Sequence, residues 1–246
     1  MPSEITETRK DFDCPKCEKT FSATALFIGA REMFPVRVCE PCQVAARDEQ
    51  TRQAAASNAT ALTAGWDEIC PPVYRDTDLQ KLHKSLLSAL EAWSAVIGLG
   101  MVGKAGTGKT RAAFEALRRQ HMRGKRCAAI NGTELRRLLV DMNDRNDSSK
   151  AEAKIRFKEL RTCDFLLIDD LGKQKFTESA QEDLFDLLET RVSHRRPVIW
   201  TTNSNSTELG KRLSGDRGNA IIRRLVEFSE IVKIEDNQME LISADR

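Results

Sequence analysis

Residues 103–110 read Gly103-Lys104-Ala105-Gly106-Thr107-Gly108-Lys109-Thr110 and match the pattern G-x-x-x-x-G-K-[ST]. The chemistry of a phosphate chain explains these residue types. Glycines let the backbone wrap an anion with its N–H groups pointing inward, and a helix starting directly after them adds the positive end of its dipole. Gly103, Gly106, Thr107 and Gly108 would form the cradle, Lys109 would reach the β- and γ-phosphates, and Thr110 Oγ would ligate Mg2+. The pattern alone also occurs in unrelated chains, so its flanks decide. Residues 94–101, SAVIGLGM, form a short apolar run of the kind that makes a buried strand, and residues 111–124, RAAFEALRRQHMRG, carry helical spacing closed by Gly124.

The same alternation continues outward. Upstream lie a proline-broken lead-in, residues 69–79, and a helix predicted over 79–93. Downstream, CAAI (127–130) predicts a second strand, TELRRLLVDM (133–142) a helix, NDRNDSS (143–149) a polar turn, and a further helix runs through Leu160. CDFLLIDD (163–170) predicts a third strand. Ser179 and Glu182 have capping-box spacing ahead of Leu184, Phe185, Leu187, Leu188 and Val192. PVIWTT (197–202) predicts a fourth strand and EIVKIED (230–236) a fifth. Strands alternating with helices of this length imply a three-layer α/β domain with a mostly parallel sheet.

Two strand ends carry chemistry. A buried apolar strand that stops at Asp169 and Asp170 is costly unless those carboxylates meet a cation. Asp169 would hold Mg2+ through water, and Asp170 would orient or deprotonate an attacking water. A polar residue at the tip of the neighbouring strand, Asn203 with Thr202 in reserve, would hydrogen-bond the γ-phosphate or that water. No [NT]-K-x-D motif follows to read a guanine base, and no substrate lid is evident. The expectation is a Mg-dependent ATPase.

Taken in order, GLGMVGKAGTGKT (98–110), FLLIDDLG (165–172), LFDLLETRVSHRR (184–196), PVIWTTNSNSTEL (197–209) and IIRRL (221–225) resemble the AAA+ ATPases of the DnaC, DnaI and IstB group. These are the replicative-helicase loaders of bacteria and phages and the related transposase-helper ATPases. The resemblance spans about residues 66–235 and implies a P-loop NTPase with an AAA+ core. Loaders of this group tend to lack a C-terminal lid, and only 43 residues follow Asn203. The resemblance further implies self-association through the ATP sites, with Arg224, or Arg223 as second choice, reaching a neighbour's γ-phosphate. Tyr74 falls in the stretch that lies near the adenine in that family, although it also reads as an ordinary packing aromatic. The partners implied are a replicative helicase and single-stranded DNA. An IstB-like transposition helper acting on duplex DNA is the alternative, and a zinc-dependent adaptor using ATP as a static switch is a third reading.

Seven cysteines remain to be placed. Cys14 and Cys17, then Cys39 and Cys42, form two C-x-x-C pairs separated by 21 residues, the spacing of a closed tetrahedral Zn2+ site built on two tight turns. Cys70, Cys127 and Cys163 read as small buried side chains. We therefore divide the chain into a zinc ribbon (1–45), a helical linker (46–65) in which a solvated helix fades out, and an AAA+ domain (66–246). The whole chain has 39 basic and 37 acidic residues, so it cannot hold nucleic acid by bulk charge. The first 65 residues carry 8 basic against 9 acidic side chains, a balance that favours a protein partner, and DnaI's zinc-containing N-terminal domain implies helicase docking. Basic clusters at Arg118, Arg119, Arg123, Lys125 and Arg126, and at Lys150, Lys154, Arg156, Lys158 and Arg161, with Arg136 and Arg137 between them, read either as solvated faces or as DNA contacts. The charged start and the lack of a long apolar run point to a cytoplasmic protein.

Overall fold

A computed structural model describes residues 5–33, 37–143, 147–204, 208–210, 213 and 215–234. The chain divides into two units, Met1–Ala61 and Leu62–Arg246. The first opens with an antiparallel sheet in the order β1 (Ile5–Asp13), β2 (Thr20–Ile28), β3 (Arg31–Met33). Phe12 faces Phe21 across the first pair with ring centroids 6.1 Å apart. Among the described residues here, only Ala25, Cys14 and Cys39 are buried apolar groups, so the unit lacks a hydrophobic core able to offset its chain entropy. Helix α1 (Glu40–Ile69) follows. It does not fade into a linker near residue 65. Its alanine-rich middle has high helix propensity, and Trp66, 3% exposed, anchors its last turn among apolar side chains of the second unit.

The second unit continues with α2 (Pro72–Arg75), a 3-10 turn (Leu79–Lys81), α3 (Lys84–Ala92), β4 (Gly98–Gly103), α4 (Lys109–His121), β5 (Cys127–Asn131), α5 (Gly132–Asp141) and α6 (Asp147–Thr162). Then come β6 (Phe165–Asp169), α7 (Glu178–Ser193), β7 (Val198–Thr202), α8 (Gly215–Glu227) and β8 (Ser229–Ile234). The five strands β4 to β8 form one sheet in the order β5-β6-β7-β4-β8, with every neighbouring pair parallel. Alternate residues feed two cores. Leu166, Ile168 and Trp200 pack with Leu135, Leu160, Leu184 and Ile221, while Leu99, Met101, Leu167 and Ile199 pack with Leu86, Leu90, Phe114 and Leu117. Helices thus cover both faces, which is the three-layer α/β arrangement expected of a parallel sheet. Among the described residues no helix is long and apolar enough to cross a membrane.

Two helix starts differ from the sequence reading. The segment 79–93 is split at His83, whose ring accepts the Ser85 N–H and caps α3. Helix α7 is capped by Thr177, which accepts the Ala180 N–H, rather than by Ser179. Both start where a polar side chain can take an unpaired N–H, and several nearby residues offer that chemistry. Gly100 is required by packing, because a Cβ there would lie 2.5 Å from the Trp200 indole laid across β4.

A wholly buried arginine ties the sheet to α6 and α7. Arg191 donates from Nη1 to Leu160 O (2.6 Å) and Cys163 O (3.0 Å), and from Nη2 to Pro197 O (3.0 Å) and Asp164 O (3.3 Å). Its partners are backbone carbonyls at the end of α6 and the starts of β6 and β7. Arg191→Leu should strand those carbonyls and cost about 3–5 kcal/mol, measurable by urea unfolding of the full chain.

Candidate functional site

The C-terminal ends of β4, β6 and β7 converge where the strand order reverses, the place where an open α/β sheet leaves a crevice. A cavity of about 380 Å3 opens there, walled by residues 105–111, Tyr74, the two aspartates, Lys173, Thr201 and Asn203. Gly108, at φ +86°, caps α4 and offers no side chain to its first turn, so the N–H groups of that turn remain open to an anion. Lys109 is 5% exposed, and its ammonium donates to Gly103 O (2.8 Å), Lys104 O (2.5 Å) and Thr107 Oγ1 (3.2 Å). Burial lowers its pKa, against the opposing pull of Asp170 and Asp169.

Opposite the loop, Asp169 Oδ1 accepts from Thr110 Oγ1 (2.9 Å) and from Thr201 Oγ1 (2.7 Å). The Thr201 hydroxyl in turn accepts the Asp170 N–H at 2.8 Å. Asp170 sits at φ +56°, with Oδ1 taking a hydrogen bond from Asn203 Nδ2 (2.7 Å) and Oδ2 paired with Lys173 Nζ (2.5 Å). Structure and sequence thus bring Thr110, Asp169, Asp170 and Asn203 together. Thr202, held in reserve by the sequence reading, faces away and accepts the Ser204 N–H (3.1 Å), while its neighbour Thr201 takes the site position. Sequence reasoning missed Thr201, Lys173 and Arg111. Tyr74 packs as an ordinary aromatic, stacked on Phe114 (5.1 Å, 15°) with the Arg111 guanidinium 5.7 Å above its ring, and it also lines the cavity.

Arg224 lies elsewhere. It pairs with Glu189 (2.7 Å) and Glu227 (3.5 Å) and lines a separate cavity with Gly98, Val198 and Ser229, which start their strands at the end of the sheet away from the phosphate loop. It therefore takes no part in the site of its own chain. Half of the residues in the basic clusters are also engaged. Arg118 and Arg119 pair with Glu115, Arg126 with Asp164, Arg156 with Glu159 and Arg161 with Asp186, and Arg136 donates to Lys175 O. Arg137 lines a cavity next to Asp170.

In the first unit the four sulfurs of Cys14, Cys17, Cys39 and Cys42 lie within 4.8 Å of one another. The first pair sits on the turn after β1, but the second marks a helix start, with Cys39 just ahead of α1 and Cys42 in its first turn. Cys17 Sγ is 3.6 Å from Cys39 Sγ, close to the roughly 3.8 Å edge of a tetrahedron with about 2.3 Å zinc–sulfur bonds. At Cys14, burial raises the thiol pKa, yet N–H groups of Cys39, Lys16 and Cys17 bring it down to about 6. Cys42, hydrogen-bonded to Cys39 and Cys17, is pushed up to about 12. Four sulfurs this close cannot all ionise without a cation, so the donor set fits a divalent metal such as zinc.

Fold and cavity define a P-loop ATP-binding protein of the AAA+ class. More narrowly, the chain belongs to the IstB-like ATP binding protein family, whose model matches residues 49–244. Over 117 residues it is 33% identical to the replicative helicase loader DnaC of Escherichia coli (strain K12), a match covering 47% of this chain and 45% of that protein. The chain thus spans about half the length of the curated relatives it matches. Among solved structures, DnaI superposes with a TM-score of 0.56 at 16% identity, covering 68% of this chain and 95% of that one. The DnaC helicase loader gives 0.50 at 21%, covering 67% and 100%. At these identities both likenesses concern the fold.

Two outcomes follow from the geometry. Thr201→Val should remove both hydroxyl bonds and weaken Mg-nucleotide binding about tenfold, roughly 1.4 kcal/mol, as read by calorimetry, with far-UV circular dichroism unchanged. The full chain should hold about one zinc by elemental analysis, and chelation or Cys17→Ser should remove it and expose the amides of residues 5–33 to hydrogen exchange while the second unit stays protected.

Proposed function

We propose that this protein is a DnaC/DnaI-like loader, an ATPase that grips a replicative helicase through its four-cysteine module and helps place it on single-stranded DNA. One observation carries the reading: a four-thiol module and an AAA+ nucleotide cavity occur on a single chain that is 33% identical to DnaC over 117 residues. The cradle at 103–108 and the open first turn of α4 would bind the triphosphate, with Lys109 leaving its carbonyls for the β- and γ-oxygens. Thr110 and Asp169 would hold magnesium, which when bound neutralises charge on those oxygens. Asp170 would take the proton of the attacking water, and Asn203 would keep that carboxylate in position. Arg224, released from Glu189, would reach the γ-phosphate of a neighbouring subunit and make hydrolysis depend on assembly. The Cys14, Cys17, Cys39 and Cys42 set would hold zinc in a structural role.

A second reading, an IstB-like transposition helper, is favoured by the family match itself, and it predicts a transposase and duplex DNA as partners. The two separate in a pull-down with ATP from the native host, using Asp170→Asn to arrest turnover. Retention of a hexameric helicase, with capture increased by single-stranded DNA and abolished by Lys109→Ala, supports the loader. Retention of a transposase on duplex DNA replaces it with the helper. If Asp170→Asn leaves partner function intact, hydrolysis has no role and the protein is an adaptor.

A further inference from the structure

Asp170, the carboxylate to which we assign the water's proton, has a partner on each of its oxygens. Oδ1 accepts from Asn203 (2.7 Å), and Oδ2 is covered by the Lys173 ammonium at 2.5 Å. The backbone holds this arrangement in place. Asp170 occupies the left-handed region at φ +56°, uncommon for a residue with a side chain, and Thr201 pins its N–H at 2.8 Å. Gly172 turns at φ +102° and returns the chain so that Lys173, three residues on, folds over the carboxylate.

The two partners of Asp170 differ in kind. Asn203 follows directly on the fully buried strand β7, and its neutral amide leaves the charge of the carboxylate uncompensated. Lys173 neutralises that charge, and it sits on a turn with 64% of its side chain exposed. It lines both the nucleotide cavity and the adjoining cavity of about 420 Å3 bounded by Asn131, Thr133 and Arg137.

We infer that Lys173 is a brake on hydrolysis, a positioning residue that acts only through Asp170. This deepens the ATPase reading above and rests on it. In the reacting arrangement the water's proton passes to Asp170 Oδ2 while its oxygen bonds to the γ-phosphorus. The bond from that phosphorus to the bridging oxygen breaks, and its electron pair leaves on ADP. While the Lys173 ammonium holds Oδ2, it stabilises the ionised carboxylate and makes that oxygen a weaker base, because accepting a proton would give up the ion pair. Loss of this pair therefore speeds turnover. An exposed ion pair supplies a modest barrier, so the brake is worth a few-fold in rate.

The test is steady-state ATP hydrolysis by the full chain with magnesium. Lys173→Met should raise kcat about three- to fivefold with KM unchanged, and Lys173→Arg should keep the restrained rate. In the Asp170→Asn background, Lys173→Met should change nothing, because its effect passes through that carboxylate. Thermal unfolding of each variant controls for folding, and an exposed side chain should leave it unmoved. An unchanged kcat overturns the inference. So does a lowered kcat, which would make Lys173 a phosphate contact. If Asp170→Asn hydrolyses as fast as the parent chain, the assignment of Asp170 as base fails as well, a result distinguishable from failure of the brake alone.

Discussion

The Thr201 hydroxyl is the interaction on which the nucleotide site depends. It donates to Asp169 and accepts from the backbone of Asp170, so one atom fixes the rotamer of the first carboxylate and the turn that aims the second. It can do so only because β7 pairs with β6 in a single register, Leu167 against Ile199 and Ile168 against Trp200. A slip of one residue would exchange the two faces of β7, turn Thr201 away and expose the alternating core that fills both sides of the sheet. The packing of Leu166 and Trp200 on one face and Leu167 and Ile199 on the other therefore specifies site geometry as firmly as it stabilises the fold.

That dependence explains what could be read from the sequence. The phosphate loop is contiguous, its residue types are dictated by local chemistry, and its strand and helix flanks are short segments with clear apolar patterns, so fold class and cradle followed directly. Asp169, Asp170 and Asn203 were legible because apolar strands stop at them. The choice between Thr201 and Thr202 was not, since adjacent residues on a strand differ only in the face they present and that is set by pairing with β6. Lys173 was hidden for a different reason. Its approach to Asp170 needs a left-handed aspartate followed by Gly172 at φ +102°, and no side-chain pattern announces that turn. The second cysteine pair gave its ligands away by spacing but not the helix start that carries it, because α1 owes its length to alanine content and to Trp66 at its far end.

Charge shows the same separation between composition and placement. The basic clusters look like nucleic-acid surfaces when counted, yet Arg118, Arg119, Arg126, Arg156 and Arg161 each have a carboxylate within 4.0 Å. Such pairs contribute little stability at the surface but lower the net field a phosphate backbone would feel. Arg137 is set apart by its place in a cavity wall beside Asp170 rather than by cluster membership.

Helix α7 runs from the nucleotide cavity to the opposite end of the strands. Its N-terminus follows the turn that carries Asp170, Gly172 and Lys173, and its last turns carry Glu189, which holds Arg224, and Arg191, which is locked to the carbonyls of Leu160, Cys163 and Pro197. Sixteen residues at about 1.5 Å each make a rod roughly 24 Å long. The Arg191 bonds fix one end of that rod against β6 and β7, so it cannot slide without breaking four carbonyl contacts. Rearrangement is then left to ion pairs near its two ends, Lys173–Asp170 at one and Arg224–Glu189 at the other. A rigid helix pinned by Arg191, with an ion pair near either end, confines any response to the contents of the nucleotide cavity to side chains rather than to bending of the sheet.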